Sequence, residues 1–176
     1  MGYTHYWELS QEVKNLPQKC VEEIRAVTKA YSKIIQFEYN NAKKPILSKN
    51  LIRFNGIKEE GHDTFYLEFL IEPEGWQKDK GEFIFAFCKT ARKKYDILVC
   101  KVLMIVKAYL QEKIKLSSDG FSSCSRNFDG TWDEAIKDLR GKGYVIKTRV
   151  VSRKGTPYFD CEILEIKSPI LMEVSK

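Results

Sequence analysis

The chain has 176 residues, of which 43% are hydrophobic, and this is enough to fill the core of one domain. It contains no run of about 18 apolar residues that could span a membrane, and its opening lacks the basic and apolar segments of a signal peptide. Five cysteines without a C-x-x-C pair and only two histidines fit neither a disulfide framework nor a zinc site. We therefore expect a cytoplasmic protein with reduced thiols, no metal and no cofactor.

The net charge of +6 is concentrated in one stretch of the chain. Residues 91–120 carry seven basic and three acidic side chains, whereas the rest of the chain is close to balanced. A local excess of this kind favours an anionic ligand or an acidic partner at one place over a surface that coats nucleic acid generally. Nucleic acid stays open as a partner.

The first predicted elements are a strand and a helix. The aromatic segment from Tyr3 to Leu9 is short enough for a strand. From Asn15 to Gln36, apolar positions recur every three or four residues, which predicts an amphipathic helix with Asn15 as its N-cap and Pro17 in its first turn. A loop rich in Asn, Lys and Pro follows.

Three strands and a buried helix are predicted next. Segments rich in aromatic and β-branched residues predict strands over residues 51–56, 63–71 and 81–90. Both faces of the third segment are apolar, which favours a central position in a sheet. Residues 95–113 are apolar nearly all round and predict the central core helix, with Asp96 as its N-cap.

The last part of the chain predicts a short strand over residues 115–120, a helix over residues 131–140 and a C-terminal β-hairpin. A two-residue loop at Lys154 and Gly155 predicts the cross-strand pairs Arg149 with Asp160 and Lys147 with Glu162. The element order indicates a single α+β domain with a largely antiparallel sheet and helices packed on one side.

Five motifs occur in the order MGYTHYW (1–7), FNG (54–56), HDTF (62–65), FCKTARKKYD (87–96) and SSDG (117–120). In order and spacing they resemble a family of uncharacterised proteins found in bacteria and their phages. The likeness covers residues 1–120, so residues 121–176 are interpreted as a helix and hairpin extension of the same domain. Asp63 stands where the family usually has Glu, and Lys94 where it has Pro. The resemblance implies a shared site built from His5, Asn55, Cys88, Lys89, Thr90, Tyr95, Asp96 and Asp119.

The cationic loop in FCKTARKKYD gives the leading functional hypothesis. Lys89 and Arg92 precede the N-terminus of the predicted central helix, where unpaired N–H groups and the helix dipole favour an anion. A solvated basic turn is the structural alternative. We predict that the loop binds an anionic small molecule, for example a nucleotide, and the likeness to phage proteins adds a host-modulating or counter-defence role. The predicted ligand-binding residues are Lys89, Thr90, Arg92, Asn55, Tyr95 and Asp96.

Two other functions are predicted as alternatives. An enzyme would use Cys88 as nucleophile if His5 reaches its thiol, or a carboxylate site at Asp119. The structural alternatives are a packed core thiol for Cys88, a hydrogen-bonded histidine and a turn aspartate. A protein-interaction module would instead bring the cationic loop against an acidic host protein.

Overall fold

The computed structural model describes residues 3–69, 82–124 and 127–173, and these form an α+β fold, as predicted. Among the described residues, no helix combines the length and the apolar composition that crossing a membrane requires. The helices are α1 (Gln18–Thr28), α2 (Asp96–Leu110), α3 (Gly130–Gly141) and α4 (Pro169–Glu173). The strands are β1 (Thr4–Ser10), β2 (Ile35–Gln36), β3 (Ile46–Leu47), β4 (Leu51–Gly56), β5 (Phe65–Glu68), β6 (Phe83–Lys89), β7 (Ile114–Ser118), β8 (Ser122–Ser123), β9 (Val145–Ser152) and β10 (Phe159–Lys167).

Pairing is antiparallel throughout the described strands, which form three sheets rather than one. β1 lies between β6 and β7, β10 lies between β8 and β9, and β4 pairs with β2, β3 and β5. The prediction that β6 is a central strand is wrong, because β6 is at an edge of its sheet among the described strands. Its second apolar face consists of phenylalanines that point away from the core, and Phe87 is 57% exposed.

Helix α2 is the core helix, as predicted, and twelve of its fifteen residues are buried. It packs against α1, α3, β7 and β10. The predicted capping role of Asp96 is wrong: Tyr95 occupies the N-cap position and no side chain caps the helix. The Asp96 carboxylate is turned towards β1 instead, where it accepts a hydrogen bond from His5.

Helix α1 is shorter than predicted. It starts at Gln18, with Pro17 in the N-cap position, and gives way to a 3-10 turn after Thr28. Tyr31, which continues the helical period, lies in this 3-10 turn, and Ile35 belongs to β2, where it pairs with Gly56 of β4. The predicted strand over residues 63–71 is observed as β5, and residues 70, 71 and 81 of the predicted strands lie outside the described residues.

The C-terminal hairpin is present, but its predicted register is wrong. Residues 153–158 connect β9 to β10 in place of a two-residue turn, with Gly155 at φ +77°. The longer connection shifts the pairing, so Arg149 lies opposite Glu162 and Lys147 opposite Glu165, with an irregularity between Ile163 and Glu165. Opposite charges still face each other, with different partners.

Candidate functional site

Three of the five motifs meet at one end of the sheet formed by β6, β1 and β7. Because β1 is antiparallel to both neighbours, its first residues lie beside the last residues of β6 and of β7. His5 is therefore paired with Cys88 on one side and with Ser118 on the other. The start of α2, which carries Asp96, covers the inner face of the sheet at this end.

A buried hydrogen-bond network connects these segments. His5 is 0% exposed, and its Nε2 lies 2.5 Å from Oδ1 of Asp96. Its Nδ1 lies 2.9 Å from the hydroxyl of Ser118. Asp96 Oδ1 also accepts a hydrogen bond of 2.6 Å from the hydroxyl of Thr90. The network joins β1, the end of β6, the start of α2 and the end of β7.

The donors around Ser118 determine the tautomer of His5. The Ser118 hydroxyl oxygen accepts hydrogen bonds from the backbone N–H of Gly120 (3.0 Å) and from Nε1 of Trp132 (2.9 Å). Since a hydroxyl oxygen has two lone pairs, its own hydrogen is donated to His5 Nδ1, the nearest acceptor. His5 consequently carries its hydrogen on Nε2 and donates it to Asp96.

Cys100 completes the buried cluster, and the sequence analysis did not single it out. It lies one turn after Asp96 on α2, and its Sγ is 3.9 Å from His5 Nε2. Ligand atoms of His5, Asp96 and Cys100 all lie within 4.8 Å of one another. Tetrahedral zinc with bonds of about 2.0 Å separates its nitrogen and oxygen ligands by roughly 3.3 Å, so the 2.5 Å His5–Asp96 contact is that of a hydrogen bond. Burial also raises the pKa of the Cys100 thiol, which favours the protonated form.

Cys88, the predicted nucleophile, is a packed thiol. It is fully buried, and its sulfur donates a weak hydrogen bond of 3.6 Å to the carbonyl oxygen of Asp63. Burial raises its pKa well above that of a free cysteine. Although His5 is its cross-strand neighbour, both imidazole nitrogens are engaged by Asp96 and Ser118.

Asn55 and Tyr95 hold the HDTF segment against the sheet. The Asn55 amide donates to the carbonyl oxygen of His62 (2.8 Å) and to the hydroxyl of Thr64 (3.0 Å). Its side-chain oxygen accepts from two backbone N–H groups. The Tyr95 hydroxyl donates to the carbonyl oxygen of Asp63 at 2.7 Å. Both side chains are buried, so they shape the loops around the site rather than its surface.

The cations of the predicted anion-binding loop are largely engaged within the protein. Arg92 forms two hydrogen bonds of 2.7 and 2.8 Å with the Asp129 carboxylate and lies 4.0 Å from the centre of the Tyr3 ring. Lys93 donates to a backbone carbonyl, and Lys94 forms an ion pair with Glu60. Thr90 and Asp96, by contrast, are buried in the His5 network. Positive charge at this loop is therefore partly neutralised, and its accessible, unpaired cation among the described residues is Lys89.

Asp119, another exposed residue of the predicted site, follows β7. Its carboxylate accepts a hydrogen bond of 2.8 Å from the backbone N–H of Thr4 and so fixes the start of β1.

Residues 91 and 92 both have positive φ angles, 50° and 58°, which are uncommon outside glycine. This left-handed turn directs the Arg92 side chain onto Tyr3 and Asp129.

A second group of cations was missed by the sequence analysis. A cavity of about 790 Å³ lies between the end of α1 and the segment that contains β3. Basic, hydroxyl and apolar side chains line it: Arg25, Thr28, Lys29, Ser32, Ile35, Ala42, Lys43, Lys44, Pro45 and Leu47. The Lys-Lys-Pro sequence at residues 43–45 predicts only a loop, because nothing in the sequence places it beside α1.

Comparison of the chain with protein-family models, curated proteins and solved structures gives no match. The family likeness of the five motifs stays a prediction.

Proposed function

We propose that the protein binds an anionic ligand of the size of a nucleotide in the cavity between α1 and residues 42–47. Its volume of about 790 Å³ falls within the range of small-molecule sites, roughly 300–1,000 Å³. Four cationic side chains line the cavity, and none of its lining residues is acidic. This unbalanced positive charge is the observation that carries the proposal.

The cations of the cavity are available to a ligand. The ammonium groups of Lys29, Lys43 and Lys44 form no hydrogen bond or ion pair with the described residues. Arg25 donates from Nε and one terminal nitrogen to the carbonyl oxygen of Leu47, which orients its guanidinium at the cavity wall. Like charges gathered in this way repel one another, and a phosphate group would relieve the repulsion while forming charge-assisted hydrogen bonds.

The rest of the lining favours a ligand with an apolar part. Ile35, Pro45 and Leu47 present hydrocarbon surface, and Ser32 adds a hydroxyl. A nucleotide combines a flat ring with charged phosphate, and both parts find matching side chains here. The ligand class is the one predicted from the sequence, but the proposed location differs from the loop at residues 89–94, whose cations are mostly paired.

Thermal-shift and calorimetric titrations with ATP, GTP and inorganic pyrophosphate test this proposal. A ligand at about 100-fold excess over its Kd adds roughly 2.7 kcal/mol to the stability of the folded protein and raises its Tm. Lys29→Ala and Lys44→Ala should each weaken binding, whereas Lys154→Ala, an exposed lysine on the hairpin connection, is the matched control. The absence of a Tm shift with all three ligands would contradict the proposal. A shift that is lost only in the Lys89→Ala variant would indicate that the ligand binds at the loop of residues 89–94 instead.

The alternative functions predicted from the sequence remain predictions. An enzyme built on His5 requires access to a side chain that is 0% exposed, and its two nitrogens are already hydrogen-bonded. An acidic protein partner, a host-modulating role and a counter-defence role depend on the charged loop and on the family likeness. Capture of a defined acidic protein that is lost in Lys89→Ala would favour the interaction module.

A further inference from the structure

Residues 43–49 run along α1 in the direction opposite to the helix. The first two lysines of this segment line the cavity at the end of α1. Arg25, in the middle of the helix, donates hydrogen bonds of 3.1 and 2.8 Å to the carbonyl oxygen of Leu47. Lys49 lies near the start of α1, because its carbonyl oxygen accepts a hydrogen bond of 2.8 Å from the backbone N–H of Leu16. The segment therefore follows the helix from its end to its start.

Basic side chains continue along this contact beyond the cavity. Lys49, at the far end, is exposed, and its ammonium group forms no hydrogen bond or ion pair with the described residues. The eleven residues of α1 span about 16 Å, since an α-helix rises about 1.5 Å per residue. The basic stripe that results has about this length and consists of Lys29, Lys43, Lys44, Arg25 and Lys49.

An acid lies on the same face of α1. Glu22 precedes Arg25 by three residues and Lys29 by seven, and this spacing places the three side chains on one side of a helix. The Glu22 carboxylate accepts a hydrogen bond of 2.9 Å from the side-chain amide of Gln18. One carboxylate offsets only part of the charge of five cations, so the basic stripe stays strongly positive.

We propose that the protein binds a single strand of nucleic acid, with one nucleotide in the cavity and the neighbouring phosphates along the basic stripe. This inference rests on the proposed function and extends the ligand from a free nucleotide to a polynucleotide. A strand with stacked bases carries one negative charge about every 3.4 Å, so a stripe of about 16 Å faces roughly five phosphates. A free nucleotide fills the cavity alone and leaves Lys49 without a ligand.

The apolar wall of the cavity favours a single strand over a duplex. Ile35, Pro45 and Leu47 present hydrocarbon surface on which a base can pack. Bases in a duplex are paired and stacked, and they reach such a wall only after they have been flipped out of the helix. Bases in a single strand are already free to leave the stack. A duplex would therefore contact the lysines alone.

Two titrations on the same variants test the proposal. Fluorescence anisotropy with labelled single-stranded DNA and RNA of about 12 nucleotides, at about 50 mM salt, measures binding of the strand, and calorimetry measures binding of ATP. Lys49→Ala should weaken strand binding roughly 5- to 10-fold and lower the slope of log K against log salt by about 0.7, the effect of one lost phosphate contact. Its affinity for ATP should equal that of the wild type.

Three further variants complete the design. Lys29→Ala should weaken binding of both ligands, because Lys29 lines the cavity. Glu22→Gln, which removes the negative charge on this face of α1, should strengthen binding of the strand. Lys154→Ala, an exposed lysine on the hairpin connection, is the matched control and should leave both affinities unchanged.

The outcomes separate this inference from the proposed function. Unchanged strand binding by Lys49→Ala, with ATP binding intact, overturns the inference and leaves the nucleotide cavity. Absence of binding of both ligands contradicts the inference and the proposed function together. Equal affinity for a duplex of the same sequence would show that the stripe attracts phosphates without a base in the cavity, and this would overturn the single-strand assignment. Binding of polyglutamate with the same dependence on Lys49 would assign the stripe to an acidic protein instead.

Discussion

Asp96 is the residue at which the buried polar groups of three segments meet. Its carboxylate accepts hydrogen bonds from His5 and Thr90, so Asp96→Ala leaves the buried His5 Nε2–H without an acceptor and the Thr90 hydroxyl with only the Tyr3 carbonyl oxygen at 3.4 Å. We expect this variant to lose about 3 kcal/mol of unfolding free energy, more than the loss of an N-cap alone would cost. Urea unfolding measures the difference.

Asp119→Ala is the control for the Asp96 variant. Its exposed carboxylate accepts one backbone hydrogen bond, so we expect a loss below about 1.5 kcal/mol. If Asp96→Ala is no less stable than Asp119→Ala, the His5 network contributes little to the fold. In that case the buried hydrogen-bond network would need a functional explanation, and the enzyme alternative would gain support.

The thiols give a second prediction at the scale of single residues. Cys124 is exposed, whereas Cys20, Cys88, Cys100 and Cys161 are buried. Burial also raises the pKa of Cys88 and of Cys100, which suppresses the reactive thiolate. We expect a disulfide reagent at neutral pH to modify Cys124 first and Cys88 only on unfolding, as followed by mass spectrometry.

Cys124→Ser provides the matching control for thiol labelling. In this variant we expect almost no fast labelling in the folded protein. Fast modification of Cys88 there would show that the thiol is accessible and activated. Such a result would contradict its assignment as a packed core residue and favour the predicted nucleophile.

At the scale of elements, the register of the hairpin gives a third prediction. Arg149 bonds to Glu162 through two nitrogens, at 3.0 and 2.5 Å, although both side chains are exposed. A double-mutant cycle with Arg149→Ala and Glu162→Ala should show a coupling below about 1 kcal/mol but above experimental error. The same cycle on Arg149 and Asp160, the pair predicted from sequence, should show none. Coupling in the second cycle alone would contradict the observed register.

Local patterns predicted single elements better than their arrangement. The strands β1, β4 and β7 and the helices α2 and α3 follow from periodicity and composition, because each pattern is complete within its own segment. The position of β6 could not be predicted this way, since an exposed row of phenylalanines has the same pattern as a buried one. The end of α1 failed for a related reason: Ile35 fits both a helical face and a strand.

The candidate site, like the fold, could be predicted only in part from the sequence. The resemblance carried by the motifs implies a shared site for His5, Thr90 and Asp96, and the antiparallel pairing of β1 with β6 brings these side chains into contact. Sequence did not indicate that these side chains are buried, nor that Asp129 neutralises Arg92 from 37 positions away. The cationic cavity joins α1 to residues 42–47, and only tertiary structure reveals such a group.

On the scale of the whole molecule, the basic side chains that give the net charge of +6 fall into two groups, those paired within the protein and those available to a ligand. Near the start of α2, Arg92 and Lys94 are balanced by Asp129 and Glu60. Cations without partners among the described residues lie at the cavity beside α1 and at the end of β6. The local excess in residues 91–120 therefore marks a well-anchored loop more than a binding surface, and the proposed cavity beside α1 draws on another part of the chain.

The Arg92–Asp129 ion pair connects the loop before α2 to the start of α3. It also makes the stability of the folded protein depend on pH in the acid range. Hydrogen bonds from Arg92 hold the pKa of Asp129 below its ordinary value of 3.8. A lowered folded-state pKa means that the charged carboxylate stabilises the fold above about pH 4 and that this contribution disappears as the pH falls through the lowered value. We therefore expect Asp129→Asn to be less stable than the wild type at pH 5–7.

The stability difference between the wild type and Asp129→Asn should shrink as the pH falls below about 4 and vanish once Asp129 is protonated in the folded protein too. Urea unfolding at a series of pH values measures it. Arg92→Ala removes the cause of the pKa shift, so in that background the Asn substitution should lose most of its pH-dependent effect. A stability difference that stays constant from pH 7 to pH 3 would contradict this prediction. It would show that Asp129 stabilises the fold through hydrogen bonds that do not depend on its charge, and that its ion pair with Arg92 does not contribute.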